Sequence, residues 1–204
     1  MGVLLSDSGE QAVLMDSHGR MDEVQRQLAC AWTALEAGEM RLILPVYATR
    51  AIDALAERCG AQTAYIAGEP AAWMGTLAEK SPRQFSIHLD GIRFALRFLS
   101  RLTESGRSYD QWKRDMPAAF RSTRSLRVPS SESGRLLHAI AEEAGNAELG
   151  GGVRLCRSDS WAWLGPDEAR AGLRIVTEAS SMEAAQELCS FYGREIERLL
   201  AARD

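Results

Sequence analysis

Net positive charge, paired cysteines, histidine and long apolar runs are all scarce in this chain, and each shortage removes a class of function. Over 204 residues, 24 lysines and arginines stand against 28 aspartates and glutamates, a formal net charge of −4. No global positive field exists to draw in nucleic acid or an anionic membrane surface, so neither is an expected partner. Cys30, Cys59, Cys156 and Cys189 are widely scattered, with no CxxC pair and no histidine at zinc-ligand spacing. That excludes a metal knuckle and a dithiol redox motif, and leaves reduced thiols of a cytoplasmic protein as the expectation. No apolar run approaches the ~20 residues of a membrane span, and Met1-Gly2-Val3-Leu4-Leu5 is too short and uncharged for a signal peptide.

What is present is an ordinary globular composition, 46% hydrophobic, enough for one large domain or two small ones without covalent staples. Val3 to Leu5 and Ala12 to Asp16 read as strands around the polar loop Ser6-Asp7-Ser8-Gly9-Glu10, and Ser17-His18-Gly19-Arg20 is a second turn. Val24, Leu28, Ala31, Trp32 and Leu35 recur at helical spacing and Gly38 supplies a stop. Strand Leu42 to Val46, helix Ala51 to Ala56 and strand Thr63 to Ala67 form a βαβ unit with a parallel pair. A helix over Ala71 to Lys80, a strand over Phe85 to Leu89 and a helix over Ile92 to Leu102 are expected next. Ser108 and Gln111 form a capping box for a short helix around Trp112 that ends before Pro117.

Polar Arg121-Ser122-Thr123-Arg124-Ser125 marks a boundary, so the expected division is 1–38, 39–120 and 121–204. After it come a strand near Leu126 to Val128, a helix from about Glu132 to Ala144, three strands, and a helix from Met182 to Ala202 with Ser180 and Glu183 as its capping box. Leu188, Tyr192, Ile196 and Leu199 give that helix an apolar stripe for the core. The order βαβββα predicts helices on one face of an antiparallel sheet. The fold class is thus α/β followed by α+β.

Trp161 to Ala179 reads as strand, turn, strand, with Gly165-Pro166-Asp167 as the turn signal. This frame resembles the last domain of the α-D-phosphohexomutases, the phosphoglucomutase and phosphomannomutase family. Their loop of arginine, proline, serine, glycine, threonine, glutamate and proline, which grips a sugar phosphate, falls on Gly165, Pro166, Asp167, Glu168, Ala169, Arg170 and Ala171. Only the proline is shared. Two carboxylates, Asp167 and Glu168, replace phosphate ligands, and like charges at ~4 Å repel by about 1 kcal/mol in water. Arg174 matches an arginine common in the family. The resemblance implies a TATA-box-binding-protein-like C-terminal domain and, before it, a third-mutase-domain-like unit.

The likeness reaches the rest of the chain. Ser6 to Arg20 resembles the end of the family's second domain, whose three magnesium-binding aspartates fall on Ser6, Ser8 and Glu10, with the neighbouring arginine on Gln11. Mg²⁺ asks for hard anionic oxygens in octahedral array, so one carboxylate and two hydroxyls imply weak binding, and no cofactor is expected here although active relatives use Mg²⁺. Asp90-Gly91-Ile92 resembles a family helix start and Gly68-Glu69 a family turn. The sugar-reading glycine-glutamate-glutamate-serine-glycine motif has no counterpart, and the phosphoserine would lie in domains upstream.

Three functional expectations follow. The leading one is a noncatalytic phosphohexomutase-like module with an assembly, regulatory or ligand-sensing role in sugar-nucleotide metabolism, similar to the degenerate region carried by some sugar-1-phosphate nucleotidyltransferases. The alternative is a piece of a phosphomannomutase or phosphoglucomutase that acts only with its N-terminal half, so either a nucleotidyltransferase or a mutase half is the expected partner. A third is a weak sugar-phosphate binder using Arg174 and the Arg121, Arg124, Arg127 stripe, which otherwise reads as a solvated linker. Trp161 and Trp163 share one face of a strand, where packing under the last helix is favoured over an open sugar platform. Ser86, His88 and Asp90 line up on the expected strand without triad geometry, and adjacent Glu142 and Glu143 diverge on a helix.

Overall fold

The computed structural model describes residues 1–68, 70–145, 147–149, 151–167 and 170–202. Contacts divide the chain into two units, one built from 1–66 with 73–118 and the other from 67–72 with 119–204.

In the first unit, β1 (Gly2–Leu5) and β2 (Ala12–Asp16) form an antiparallel hairpin, and the short β3 (Gly19–Arg20) pairs with β2. Asp22 and Gln25 exchange side-chain and backbone bonds in a capping box that starts α1 (Glu23–Glu36). A parallel pair, β4 (Arg41–Pro45) and β5 (Gln62–Ile66), is linked by α2 (Ala51–Arg58). Then come α3 (Pro70–Lys80), α4 (Pro82–Leu89), α5 (Gly91–Glu104) and α6 (Tyr109–Asp115), the last started by the expected Ser108 and Gln111 box. Trp32, Phe94, Phe98, Tyr109 and Trp112 form an aromatic core, with Phe98 edge-on to Trp112 at 5.0 Å.

The expected strand Phe85 to Leu89 is the helix α4. Its alternation of apolar and polar residues suits a strand, but Ser81 caps the Gln84 amide and Pro82 presets the first helical turn. Buried Gln84 then does what a neighbouring strand would: its Oε1 accepts from Ile43 N at 3.0 Å and its Nε2 donates to Arg41 O at 2.7 Å, closing an edge of β4.

In the second unit, β6 (Phe120–Leu126) precedes α7 (Ser130–Ala144), followed by β7 (Ala147–Leu149), β8 (Val153–Cys156), β9 (Trp161–Pro166), β10 (Leu173–Ala179) and α8 (Met182–Ala201). The sheet runs β6-β10-β9-β8-β7 and every pair is antiparallel. Four strands, not three, lie between the helices, and the first strand starts at Phe120. Arg121 to Ser125 is therefore a strand paired along its length with β10. Leu136 and Ile140 of α7 and Cys189, Tyr192 and Ile196 of α8 pack on Val153, Leu155, Ala162, Leu164, Leu173 and Ile175, so both helices cover one face of the sheet. Ser181, not Ser180, caps α8 by accepting from Ala184 N.

Candidate functional site

The β9–β10 hairpin carries the expected phosphate loop, and its base is closed by an indole. Residues 163 and 165 sit on the same side of β9. At Gly165 any Cβ would overlap the six-membered ring of Trp163, and at Gly152 it would come within 2.8 Å of Trp163 Nε1. Two glycines thus make room for one flat side chain, and Trp163 occupies the space beside Gly165 that a longer residue there would need. Arg174 lies directly across β10 from Gly165 and, on its other side, from Ser125 of β6, so all three share the face away from the helices.

Beyond Gly165, exposed Pro166 ends β9, and the turn is pinned by Asp167 N donating to Gly172 O at 3.1 Å and Arg170 N donating to Asp167 O at 3.2 Å. Gly172 is needed for close approach, since a Cβ there would strike Leu126 O. Glu168, expected to stand among the phosphate ligands, lies outside the described residues.

The expected metal positions, Ser6, Ser8 and Glu10, are in the β1–β2 turn. Ser6 Oγ and Ser8 Oγ lie 3.3 Å apart, Ser6 Oγ accepts from Gln11 N at 3.1 Å, and Ser8 Oγ accepts from Glu10 N at 3.4 Å. The hydroxyls satisfy the turn's own backbone, and Glu10 is the one carboxylate among the three. With one carboxylate beside two hydroxyls already committed to the turn, this donor set does not fit Mg²⁺, which favours hard anionic oxygens in near-octahedral array. The turn instead docks on α5: Gly91 N donates to Gly9 O at 2.9 Å, and a Cβ on Gly91 would meet Gln11 C at 2.6 Å.

Two other aligned sets separate in space. Ser86 Oγ bonds Arg83 O, His88 packs edge-on against Trp73, and Asp90 caps α5 through Arg93 N, so no triad forms. Arg124 crosses α8 over Gly193 to reach Glu197 at 2.8 Å, whereas Arg121 lies on the opposite face, 5.8 Å from the Trp161 ring. The arginine stripe is thereby split by the pleat of β6. Trp161 and Trp163 share the face opposite α7 and α8, not the helix side that was expected, and both are buried. Arg154, also buried, stands 5.2 Å from Trp161.

One cluster was not legible in the sequence because its members are far apart along the chain. Asp16, His18 and Asp110 bring ligand atoms within 4.8 Å of one another. The Lys113 ammonium sits among them, 2.5 Å from Asp16 Oδ2 and 2.8 Å from Asp110 Oδ1. The hydrogen bond from Lys113 holds the Asp16 carboxyl below its ordinary range, and Asp110 with Asp16 raises the Lys113 pKa. The cationic centre of this cluster is a side chain, which ties the β2–β3 hairpin to α6.

No protein-family model and no curated protein matches the sequence. Solved structures do match. A phosphoglucomutase/phosphomannomutase family protein from Burkholderia thailandensis shares the fold with a TM-score of 0.70 at 16% identity, over 97% of this chain and 46% of that one. A Thermus thermophilus protein assigned as a phosphomannomutase gives 0.63 at 19%, over 98% and 45%. An Aspergillus fumigatus N-acetylphosphoglucosamine mutase, solved with GlcNAc-6P and magnesium, gives 0.56 at 9%, over 95% and 48%. The chain spans a little under half the length of these proteins, and its mixed α/β architecture is the phosphohexomutase domain fold.

Proposed function

We propose that this chain is a noncatalytic phosphohexomutase-like module with an assembly, regulatory or ligand-sensing role in sugar-nucleotide metabolism, corresponding to the C-terminal half of a mutase. The observation that carries this reading is Trp163 lying against Gly165. Where the family resemblance puts the phosphate-gripping arginine, there is no side chain, and the adjacent space is filled by an indole. The turn hydroxyls of Ser6 and Ser8 point the same way, being committed to their own backbone. Phosphoryl transfer relies on a metal and on positive charge to stabilise the transferred group; the β1–β2 turn offers one carboxylate for a metal, and Gly165 offers no cation where the resemblance puts the gripping arginine. The partner in this reading is an N-terminal nucleotidyltransferase or mutase half.

Calorimetric titration with mannose 1-phosphate and glucose 1-phosphate, each with and without Mg²⁺, tests the proposal. The expected result is that Mg²⁺ changes neither heat nor affinity. A magnesium-dependent affinity in the micromolar range would favour the alternative, a mutase half awaiting its N-terminal domains.

A further inference from the structure

Helix α8 carries more apolar surface than the sheet needs. Ala185, Cys189, Tyr192 and Ile196 form its buried stripe, and one such stripe is enough to dock a helix. Ala184, Leu188 and Phe191 make a second seam at i, i+4 and i+7, where Phe191 is 42% exposed with its ring held edge-on to Tyr192 at 5.1 Å. This seam lines an open groove of about 790 Å³ whose other wall is the β8–β9 turn from Arg157 to Ser160. The groove lies at the end of the sheet opposite the β9–β10 loop, because β9 starts at Trp161 and β10 finishes at Ala179.

The charges beside the seam are left to be met from outside. Farther along α8 the ionic groups are consumed within the chain: Arg198 reaches Glu143 and Glu195, and Glu197 takes Arg124. Exposed Glu187 and Arg194, one on each side of Phe191, have no ion pair among the described residues. Two helical turns separate them, ~10 Å along one face. An anion and a cation placed evenly about a central point are complementary to their own image under two-fold rotation. An antiparallel pair of α8 helices centred between Ser190 and Phe191 sets each Glu187 against Arg194 of the other copy, and small Ser190 leaves room for the opposing Phe191. We infer that this face of α8 is the contact between two copies of the chain, a two-fold antiparallel helix pair fixed by reciprocal Glu187–Arg194 ion pairs around Phe191. An interface built on one helix is small, so the dimer is weak and exchanging. It involves neither a metal nor a phosphate, and its failure would leave the noncatalytic reading untouched.

The test is sedimentation velocity over a concentration series reaching millimolar protein, run on the full chain in a Leu4→Lys background so that pairing at the exposed edge strand β1 does not contribute. A monomer–dimer equilibrium is expected. Glu187→Arg and Arg194→Glu should each weaken it at least ~tenfold, because each sets like charges face to face in both halves of the interface. Mixing the two variants should restore a heterodimer, since every facing pair is then opposite in sign, and the double variant Glu187→Arg/Arg194→Glu should recover self-association. Leu4, Glu187 and Arg194 are all exposed, so an unchanged circular dichroism spectrum reports an intact fold. A protein monomeric at every concentration would hand the groove to a different occupant and overturn the inference. So would association that neither reversal weakens, or that the mixture and the double variant fail to recover.

Discussion

His88 closes α4 with its ring edge-on to Trp73, centroids 5.1 Å apart, and burial pushes its pKa down to about 3, with Arg26 adding repulsion. The unfolded chain binds a proton at His88 below its ordinary 6.5, whereas the folded chain does not until about 3. Stability is therefore full above 6.5 and is lost as pH falls through that window. At pH ~5 the deficit from this group reaches about 2 kcal/mol. In His88→Phe, which keeps an aromatic edge but cannot titrate, chemical denaturation should show a flatter fall between pH ~7 and ~5; equal slopes in the two proteins would refute the assignment. The sequence shows His88 but not its environment, because Trp73 lies on another helix. Gly165 is a similar case. A turn signal was readable there, but its tight contact with Trp163 depends on a rotamer that spacing does not specify.

Elements were legible where period and caps agreed. The capping box at Ser108 and Gln111, the βαβ order of β4, α2 and β5, and the long helix α8 were all readable because each combines a periodic apolar face with its own start or stop signal. They were misread where the two signals conflicted. Phe85 to Leu89 alternates like a strand, yet its Ser-Pro start made it α4, and polar Arg121 to Ser125 looked like a linker although β10 pairs with all of it. The α4 misreading carries its own prediction. Gln84 is buried and serves β4 as a strand would. Gln84→Met preserves bulk but leaves Ile43 N without its acceptor, and should cost about 1–3 kcal/mol in urea denaturation. A loss under ~0.5 kcal/mol would mean that packing, not the bonds to Arg41 and Ile43, holds α4 in place.

For the whole molecule, a fold shared at 16–19% identity with proteins about twice as long leaves function to be argued from particular surfaces. An assembly role needs a surface with something to gain from being covered. In the order β1-β2-β3, β1 is an edge strand, and Val3, Leu4 and Leu5 are 43%, 41% and 45% exposed. On α5, which packs against β1 and β2, Ile92 and Leu96 are 56% and 63% exposed one helical turn apart. Met1 to Leu5 contains no charged side chain, proline or bulge-forming insertion of the kind that normally blunts an edge against pairing. The chain should therefore self-associate through β1 as its concentration rises, by antiparallel pairing of two neutral strands. Leu4→Lys places a charge on that edge without disturbing a buried residue. It should lower the weight-average mass measured by light scattering while leaving the circular dichroism spectrum unchanged. A wild-type protein that stays monomeric at every accessible concentration would remove β1 from the argument and leave the assembly role to another face.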